Sequence, residues 1–167
     1  MSGGIKSLPK QTLDLETACS YELEQYCCNV TVGWGDCDPA QIAYTARIPA
    51  WALTAIEAWY VHCFSVNWFD MNIHRGIGTP FVSLGCDFRS PVTTNYPLKM
   101  TVYVSRLGNA SLSHLVEGFQ NNVLCFTAKT TAAFADAKKM ESMPIPKNMR
   151  LNIENYVRNQ DREFEGS

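Results

Sequence analysis

The chain has 167 residues, enough for one domain with a hydrophobic core and too few for two ordinary domains. Hydrophobic residues make up 46% and charged residues 18%, a balance that excludes an intrinsically disordered chain. The net charge is −2 and the basic residues are scattered, so neither nucleic acid nor an anionic membrane is expected as the main partner. No apolar run is long enough to cross a bilayer, and no secretory signal is recognisable at the start.

The cysteines and histidines predict neither disulfides nor a metal site. The cysteines are odd in number and lack C-x-x-C pairing, which is typical of reduced thiols in a cytoplasmic protein. The histidines are neither clustered nor at ligand spacing from the cysteines, so no metal or other cofactor is expected. The residues concerned are Cys19, Cys27, Cys28, Cys37, Cys63, Cys86, Cys125, His62, His74 and His114.

The first half of the chain predicts a strand followed by a helix. Residues 1–20 are polar and mixed, and we expect a flexible N-terminal segment before a domain over residues 21–146. Alternation from Tyr26 to Val32 predicts a strand, and the glycines and Asp38-Pro39 after it predict a turn. Apolar residues then recur at three- and four-residue steps, which predicts one long helix. They are Ile48, Ala52, Ala55, Trp59 and Cys63.

The second half predicts four successive antiparallel strands, near residues 80–84, 98–105, 111–119 and 124–134, with turns at Gly108-Asn109 and Asn121-Asn122. One helix must then cover one face of the sheet, so the expected class is α+β, with a curved antiparallel sheet wrapped around a long central helix. A face or edge of this sheet remains for a second subunit. From Lys147 a polar tail follows, with at most a short helix near residues 153–157.

The segment between the strand and the helix, residues 33–44, holds two carboxylates among glycines. Asp38-Pro39 is common turn chemistry, and capping alone could explain it. The same place also suits catalysis, because a helix N-terminus offers unpaired N–H groups that can stabilise an oxyanion. A carboxylate just before it could attack a thioester carbonyl or activate a water molecule. The residues alone leave both readings open.

The string Trp-Gly-Asp-Cys-Asp-Pro-Ala over residues 34–40, followed by an aromatic residue and a helix, resembles the signature of the 4-hydroxybenzoyl-CoA thioesterase family. The resemblance covers about residues 27–136. It implies a hot-dog fold and metal-free acyl-CoA hydrolysis, with coenzyme A as part of the substrate. It also implies a homodimer or homotetramer with the site at the subunit interface. Asp38 would be the catalytic carboxylate and the backbone N–H of Thr45 the oxyanion donor.

Two departures from the family pattern concern the substrate. Leu53 stands where some members carry an acidic helix residue, so a buried 4-hydroxyl would lack its partner and an apolar acyl or aryl group fits better. Gly108-Asn109-Ala110 replaces the family's basic cluster for the CoA phosphates. Arg106 and Ser111 nearby are the predicted CoA contacts. Lys99 or Arg89 of a neighbouring subunit, or a different acyl carrier, are the alternatives.

Tyr44, Trp51 and Thr79 are the residues that we assign to the acyl pocket. Cys37 lacks a nearby histidine and is expected to be an inert thiol. Glu57 lies off the apolar stripe, so a solvated carboxylate is expected there. His114 shares a strand face with apolar residues and is expected to be partly buried and hydrogen-bonded. His62 and His74 carry no functional signal.

The sequence therefore predicts an acyl-CoA thioesterase that uses Asp38. A non-catalytic hot-dog protein that binds acyl-CoA is the alternative. A hot-dog dehydratase is disfavoured, because the histidine and carboxylate motif of such enzymes is absent.

Overall fold

We describe the protein from a computed structural model that covers the backbone of residues 24–165 and the side chains of residues 24–160. The predicted N-terminal segment, residues 1–20, lies outside the described residues. In chain order the elements are β1 (Cys27–Val30), α1 (Arg47–Phe64), α2 (Trp68–Ile73), β2 (Ile77–Gly78), β3 (Phe81–Phe88), β4 (Leu98–Leu107), β5 (Ser111–Gln120), β6 (Val123–Ala133), β7 (Ala135–Asp136) and α3 (Lys147–Glu165).

Five antiparallel strands form the main sheet, in the order β1-β4-β5-β6-β3, and α1 packs against β3, β4, β5 and β6. This is the hot-dog fold, and it confirms the predicted α+β class with a sheet around a long helix. The predicted apolar stripe is the buried face of α1, together with Ile56, Tyr60 and Phe64. Burial alternates strictly along β5, as expected for a strand with one face on the core.

The expectation of a single helix is wrong. The short helix α2 is capped by Asn67, whose side chain accepts a hydrogen bond from the Asp70 N–H at 2.8 Å. The small strands β2 and β7 pair with each other in a separate two-stranded sheet. None of the helices within residues 24–165 is both long and apolar enough to span a membrane.

The C-terminal tail is also more ordered than predicted. Instead of a short helix, α3 runs for 19 residues, and Ile153 and Tyr156 on it are fully buried. These residues follow Met149 at helical spacing, but charged and amide residues lie between them and lower the mean hydropathy. The helix is therefore stabilised by packing onto α1 and β4 rather than by its own composition.

The two edges of the main sheet differ. β1 pairs with only the first four residues of β4, and α3 covers the strand beyond them. The Gln160 side chain accepts from the Val104 N–H at 3.1 Å and donates to the Val104 carbonyl at 2.9 Å, as a neighbouring strand would. At the other edge, β3 has only β6 beside it among the described residues, and Val82, Leu84 and Phe88 are exposed.

Candidate active site

The loop between β1 and α1 is closed by hydrogen bonds that its own acidic residues make. The Asp36 carboxylate accepts from the Gly33 N–H at 3.0 Å, and the Asp36 carbonyl accepts from the Tyr44 N–H at 2.8 Å. The Asp38 N–H donates to the Ile42 carbonyl at 2.9 Å. These bonds fold the loop back on itself at the start of α1 and fix the position of Asp38.

Asp38 combines a turn role with an available oxygen. Its Oδ1 accepts from the Ala40 N–H at 2.8 Å, which is the predicted turn chemistry. Its other carboxylate oxygen has no hydrogen-bond donor among residues 24–160. The half-buried side chain lines a cleft of about 420 Å³ that Tyr44 and Arg47 also line. One oxygen therefore holds the loop and the other faces a space that a substrate could occupy.

The start of α1 supplies unpaired backbone donors. The Arg47 and Ile48 N–H groups donate to the Tyr44 and Thr45 carbonyls at 2.8 and 3.3 Å. The N–H groups of Thr45 and Ala46 find no acceptor within the described part of the chain. These donors lie at the positive end of the helix dipole, where a developing oxyanion would be stabilised.

A second cleft, of about 330 Å³, lies on the other side of this segment. Thr45 lines it together with Phe88, Val92 and Phe126, so most of its wall is apolar. Arg89 also lines it. Tyr44 thus lines the cleft with the charged side chains of Asp38 and Arg47, called the polar cleft below, and Thr45 lines the second, called the apolar cleft.

Sequence reasoning missed Arg47. Its Nε lies 3.1 Å from Oδ1 of Asp36, and its side chain is 50% exposed in the Asp38 cleft. The pair joins residues far apart in the loop, and no local pattern predicts such a contact. The only available signal was a charged residue at the predicted helix start.

Three predicted site residues lie at the other end of the sheet within one chain. Val30 pairs with Leu98, so the Asp38 loop begins beside the start of β4. Arg106 lies eight residues further along β4, roughly 26 Å away at about 3.3 Å per residue. Ser111 follows the next turn at that same end, and Thr79 precedes the start of β3, also far from the Asp38 loop.

The predicted CoA contacts lie near residues of α3. Arg106 lines a cleft of about 500 Å³ between β4 and α3, together with Arg158 and Glu154. The turn at residues 108–110 lacks basic residues of its own, but Arg150 of α3 donates to the Gly108 carbonyl at 2.5 Å. The basic side chain of Arg150 therefore lies close to this turn.

Of the remaining candidates, only Cys37 lines one of the two clefts beside Thr45. Trp51 and Leu53 are half-buried on α1, and neither lines the two clefts beside Thr45. Cys37 also lines the Asp38 cleft, and its thiol lies 3.6 Å from the Gly33 carbonyl. Glu57 is exposed, as predicted.

The three histidines lie in different surroundings. His62 contacts the Glu24 carbonyl at 3.0 Å, and His74 lies 3.6 Å from Asp70. His114 differs from the prediction. It is fully buried, and neither ring nitrogen has a hydrogen-bond partner among the described residues. The ring lies edge-on to Trp59, with centroids 4.7 Å apart. Burial lowers the pKa of His114 to about 3, so the ring is neutral at physiological pH.

No group of three or more His, Cys, Asp and Glu side chains among the described residues could hold a metal ion. The arrangement around Asp38 consists of one carboxylate, backbone donors and a guanidinium. Such a set can attack a carbonyl carbon, directly or through water, and stabilise the oxyanion that forms.

Comparison with known proteins gives the family. A profile of the thioesterase-like superfamily matches residues 32–153. A thioesterase superfamily structure from Jannaschia sp. CCS1 is 40% identical, with a TM-score of 0.76, over 80% of this chain and 93% of that one. No protein of curated function matches significantly.

Two more distant structures share the fold. A 1,4-dihydroxy-2-naphthoyl-CoA thioesterase from Synechocystis is 17% identical, with a TM-score of 0.70, over 77% of this chain and 95% of that one. A hypothetical protein from Staphylococcus aureus, solved in complex with CoA, is 12% identical, with a TM-score of 0.75, over 85% and 89%. The profile match covers most of the chain, and the Jannaschia structure is similar in sequence as well as fold. The chain therefore belongs to the thioesterase-like superfamily.

Proposed function

We propose that the protein hydrolyses the thioester bond of an acyl-CoA with an aromatic or apolar acyl group, as an enzyme of the 4-hydroxybenzoyl-CoA thioesterase type. The observation that carries this proposal is the position of two free groups on one short loop. The unpaired Asp38 oxygen faces a polar cleft, and the unpaired Thr45 N–H adjoins an apolar one. A thioester bound across the Tyr44-Thr45 segment would meet both groups.

The chemistry follows from these two groups. Asp38 attacks the thioester carbon or takes a proton from the water that attacks it, and both routes need the carboxylate ionised. The carbonyl oxygen gains negative charge, and the Thr45 N–H at the helix start stabilises that charge. The apolar cleft beyond Thr45 suits an apolar acyl or aryl group, with Tyr44 at the boundary between the two clefts.

A second copy of the chain completes this site in our proposal. The exposed β3 edge offers unpaired backbone groups and apolar side chains, as an interface between two copies would. Pairing around a two-fold axis is antiparallel, so the start of one β3 lies beside the end of the other. Thr79 of one copy would then approach the clefts of its partner near Phe88. Arg106 and Ser111 of a further copy in a homotetramer could hold the CoA phosphates.

Two structures that share the fold, and the cysteines of this chain, support this proposal. Among the structures that share the fold, one is a 1,4-dihydroxy-2-naphthoyl-CoA thioesterase and another was solved with CoA. The described cysteines are all free thiols, which agrees with a cytoplasmic enzyme.

Free thiol release from a panel of aliphatic, aryl and phenylacetyl CoA thioesters tests the proposal. We expect turnover with at least one aryl or apolar substrate, and a loss on the order of a thousandfold in Asp38→Asn at unchanged thermal stability. Asp70→Asn, at an exposed ion pair on α2, is the control and should keep full activity. Saturable acyl-CoA binding without thiol release across the panel would instead favour a non-catalytic binding protein.

A further inference from the structure

Arg47 occupies a position that is unfavourable for a cation. It is the first residue of α1, at the positive end of the helix dipole, and the first turn carries no acidic residue to offset it. A positive charge at this end of a helix is destabilising. A residue that opposes the local electrostatics in this way is often found at a functional site.

Asp36 holds the Arg47 side chain in one orientation. Oδ2 of the Asp36 carboxylate accepts a hydrogen bond from the Gly33 N–H, which fixes the carboxylate. Its Oδ1 forms the ion pair with Nε of Arg47. Neither Nη group of Arg47 has a partner among the described residues, and the half-exposed side chain lines the cleft of Asp38. The geometry thus presents free guanidinium donors to the space in front of the proposed catalytic carboxylate.

The division of the two clefts indicates which part of the substrate meets Arg47. The cleft beyond Thr45 is mostly apolar and takes the acyl group in the function proposed above. The polar cleft then remains for the sulfur and the start of the pantetheine arm. The CoA phosphates lie at the far end of that long arm, so the group that reaches Arg47 beside Asp38 is the sulfur.

We propose that the Arg47 guanidinium stabilises the thiolate of CoA as it leaves. This inference rests on the proposed thioesterase function. The bond between the acyl carbon and sulfur breaks, its electron pair stays on the sulfur, and solvent then protonates the thiolate. The acyl carbon ends bonded to an oxygen of Asp38, from which water later releases the acid, or directly to the oxygen of an attacking water whose proton Asp38 takes. In both cases a cation beside the sulfur lowers the free energy of the thiolate.

The dependence on the leaving group tests this role. Two thioesters of the same acyl group are compared in single-turnover experiments, one with CoA and one with thiophenol. Thiophenol is a far stronger acid than an alkyl thiol and needs less stabilisation when it leaves. We expect Arg47→Met to slow the CoA thioester on the order of tenfold and the thiophenol thioester by much less. Arg47→Lys should recover part of the loss, because it keeps the charge without the planar donors.

Two further variants separate this role from a structural one. Asp36→Asn keeps an acceptor for the Gly33 N–H but weakens the ion pair with Arg47. This variant should therefore also slow the CoA thioester more than the thiophenol thioester, by a smaller factor than Arg47→Met. Arg75→Met, at an exposed arginine outside the clefts described above, should change neither rate. Equal losses for both thioesters in the Arg47 and Asp36 variants, or no loss in any of them, would overturn the role of Arg47. A wild-type protein that cleaves neither thioester would instead refute the proposed function.

Discussion

The two edges of the main sheet are protected in different ways, and the difference supports the proposed pairing of two copies through β3. On β4 beyond its pairing with β1, the Gln160 amide bonds both the N–H and the carbonyl of Val104. The Tyr156 hydroxyl donates to the Val102 carbonyl, and the Val102 N–H donates to the Tyr26 carbonyl. At the β3 edge no element of the described chain takes this role. The part of β4 that its own chain satisfies needs no partner, whereas an open apolar edge is a surface for strand pairing.

The exposed row on β3 strengthens this contrast. Leu84, Cys86 and Phe88 pair with Thr130, Ala128 and Phe126, which face α1, so all these side chains share the helix side of the sheet. The residues on β6 are buried, while Leu84 and Phe88 on β3 are 45% and 54% exposed. The row therefore extends the core surface past the reach of α1, and Phe88 at its end lines the cleft of Thr45.

The largest effect on stability is expected at the covered edge. Gln160→Ala leaves the buried N–H and carbonyl of Val104 without partners, and we expect it to lower the free energy of unfolding by about 2–4 kcal/mol. Chemical denaturation measures this value. Leu151→Ala, at an exposed position on the same helix, should stay within about 0.5 kcal/mol of the wild type. A Gln160 variant as stable as the wild type would mean that α3 does not satisfy this edge.

The next largest effect on stability is expected from the protonation of His114, at the centre of the sheet. Its folded pKa of about 3 lies below the ordinary value of 6.5, so between these values the unfolded chain binds a proton that the folded protein does not. Stability should therefore fall as the pH drops from about 6.5 towards 3, by about 2–3 kcal/mol at pH 4.5. His114→Phe should remove this part of the pH dependence. Identical pH profiles for the variant and the wild type would contradict neutral burial of His114.

A smaller effect, of several-fold, is expected on the rate at which the cysteine thiols at the two edges are alkylated. Cys27 on β1 is exposed, whereas Cys86 on β3 is half-buried, and burial raises its pKa. If β3 pairs with a second copy, Cys86 should be alkylated several-fold more slowly in wild type than in a Val82→Lys/Leu84→Lys variant. Cys27 should react at the same rate in both, with labelled sites identified by mass spectrometry. Equal Cys86 rates in the two proteins would show that β3 is open in solution.

The main elements of the fold follow from local periodicity. The apolar stripe places α1 and its buried face correctly, and the predicted strand segments fall on β4, β5 and β6. α3 was not predicted at its full length, because its polar composition hides buried positions that depend on a distant strand edge. The same limit applies to β2 and β7, whose pairing joins residues 57 and 59 positions apart.

The candidate site was predictable only in part, because it depends on contacts of different range. The motif predicts Asp38 and Thr45 as site residues, and both lie within one short segment before α1. The Asp36–Arg47 pair depends on how the loop closes, which spacing alone does not give. Thr79, Arg106 and Ser111 are far from Asp38 within one chain, so any role at the site requires a second copy.

The most direct test of the account is the activity of a protein whose β3 edge cannot pair. We expect Val82→Lys/Leu84→Lys to fold, to sediment as a monomer and to lose most thiol release from acyl-CoA, because each site needs the partner's β3. Leu151→Lys adds a comparable charge beside the covered edge, and it should keep both the oligomeric state and the activity of the wild type. A monomeric β3 variant with wild-type thiol release per chain would contradict a site completed by a second copy.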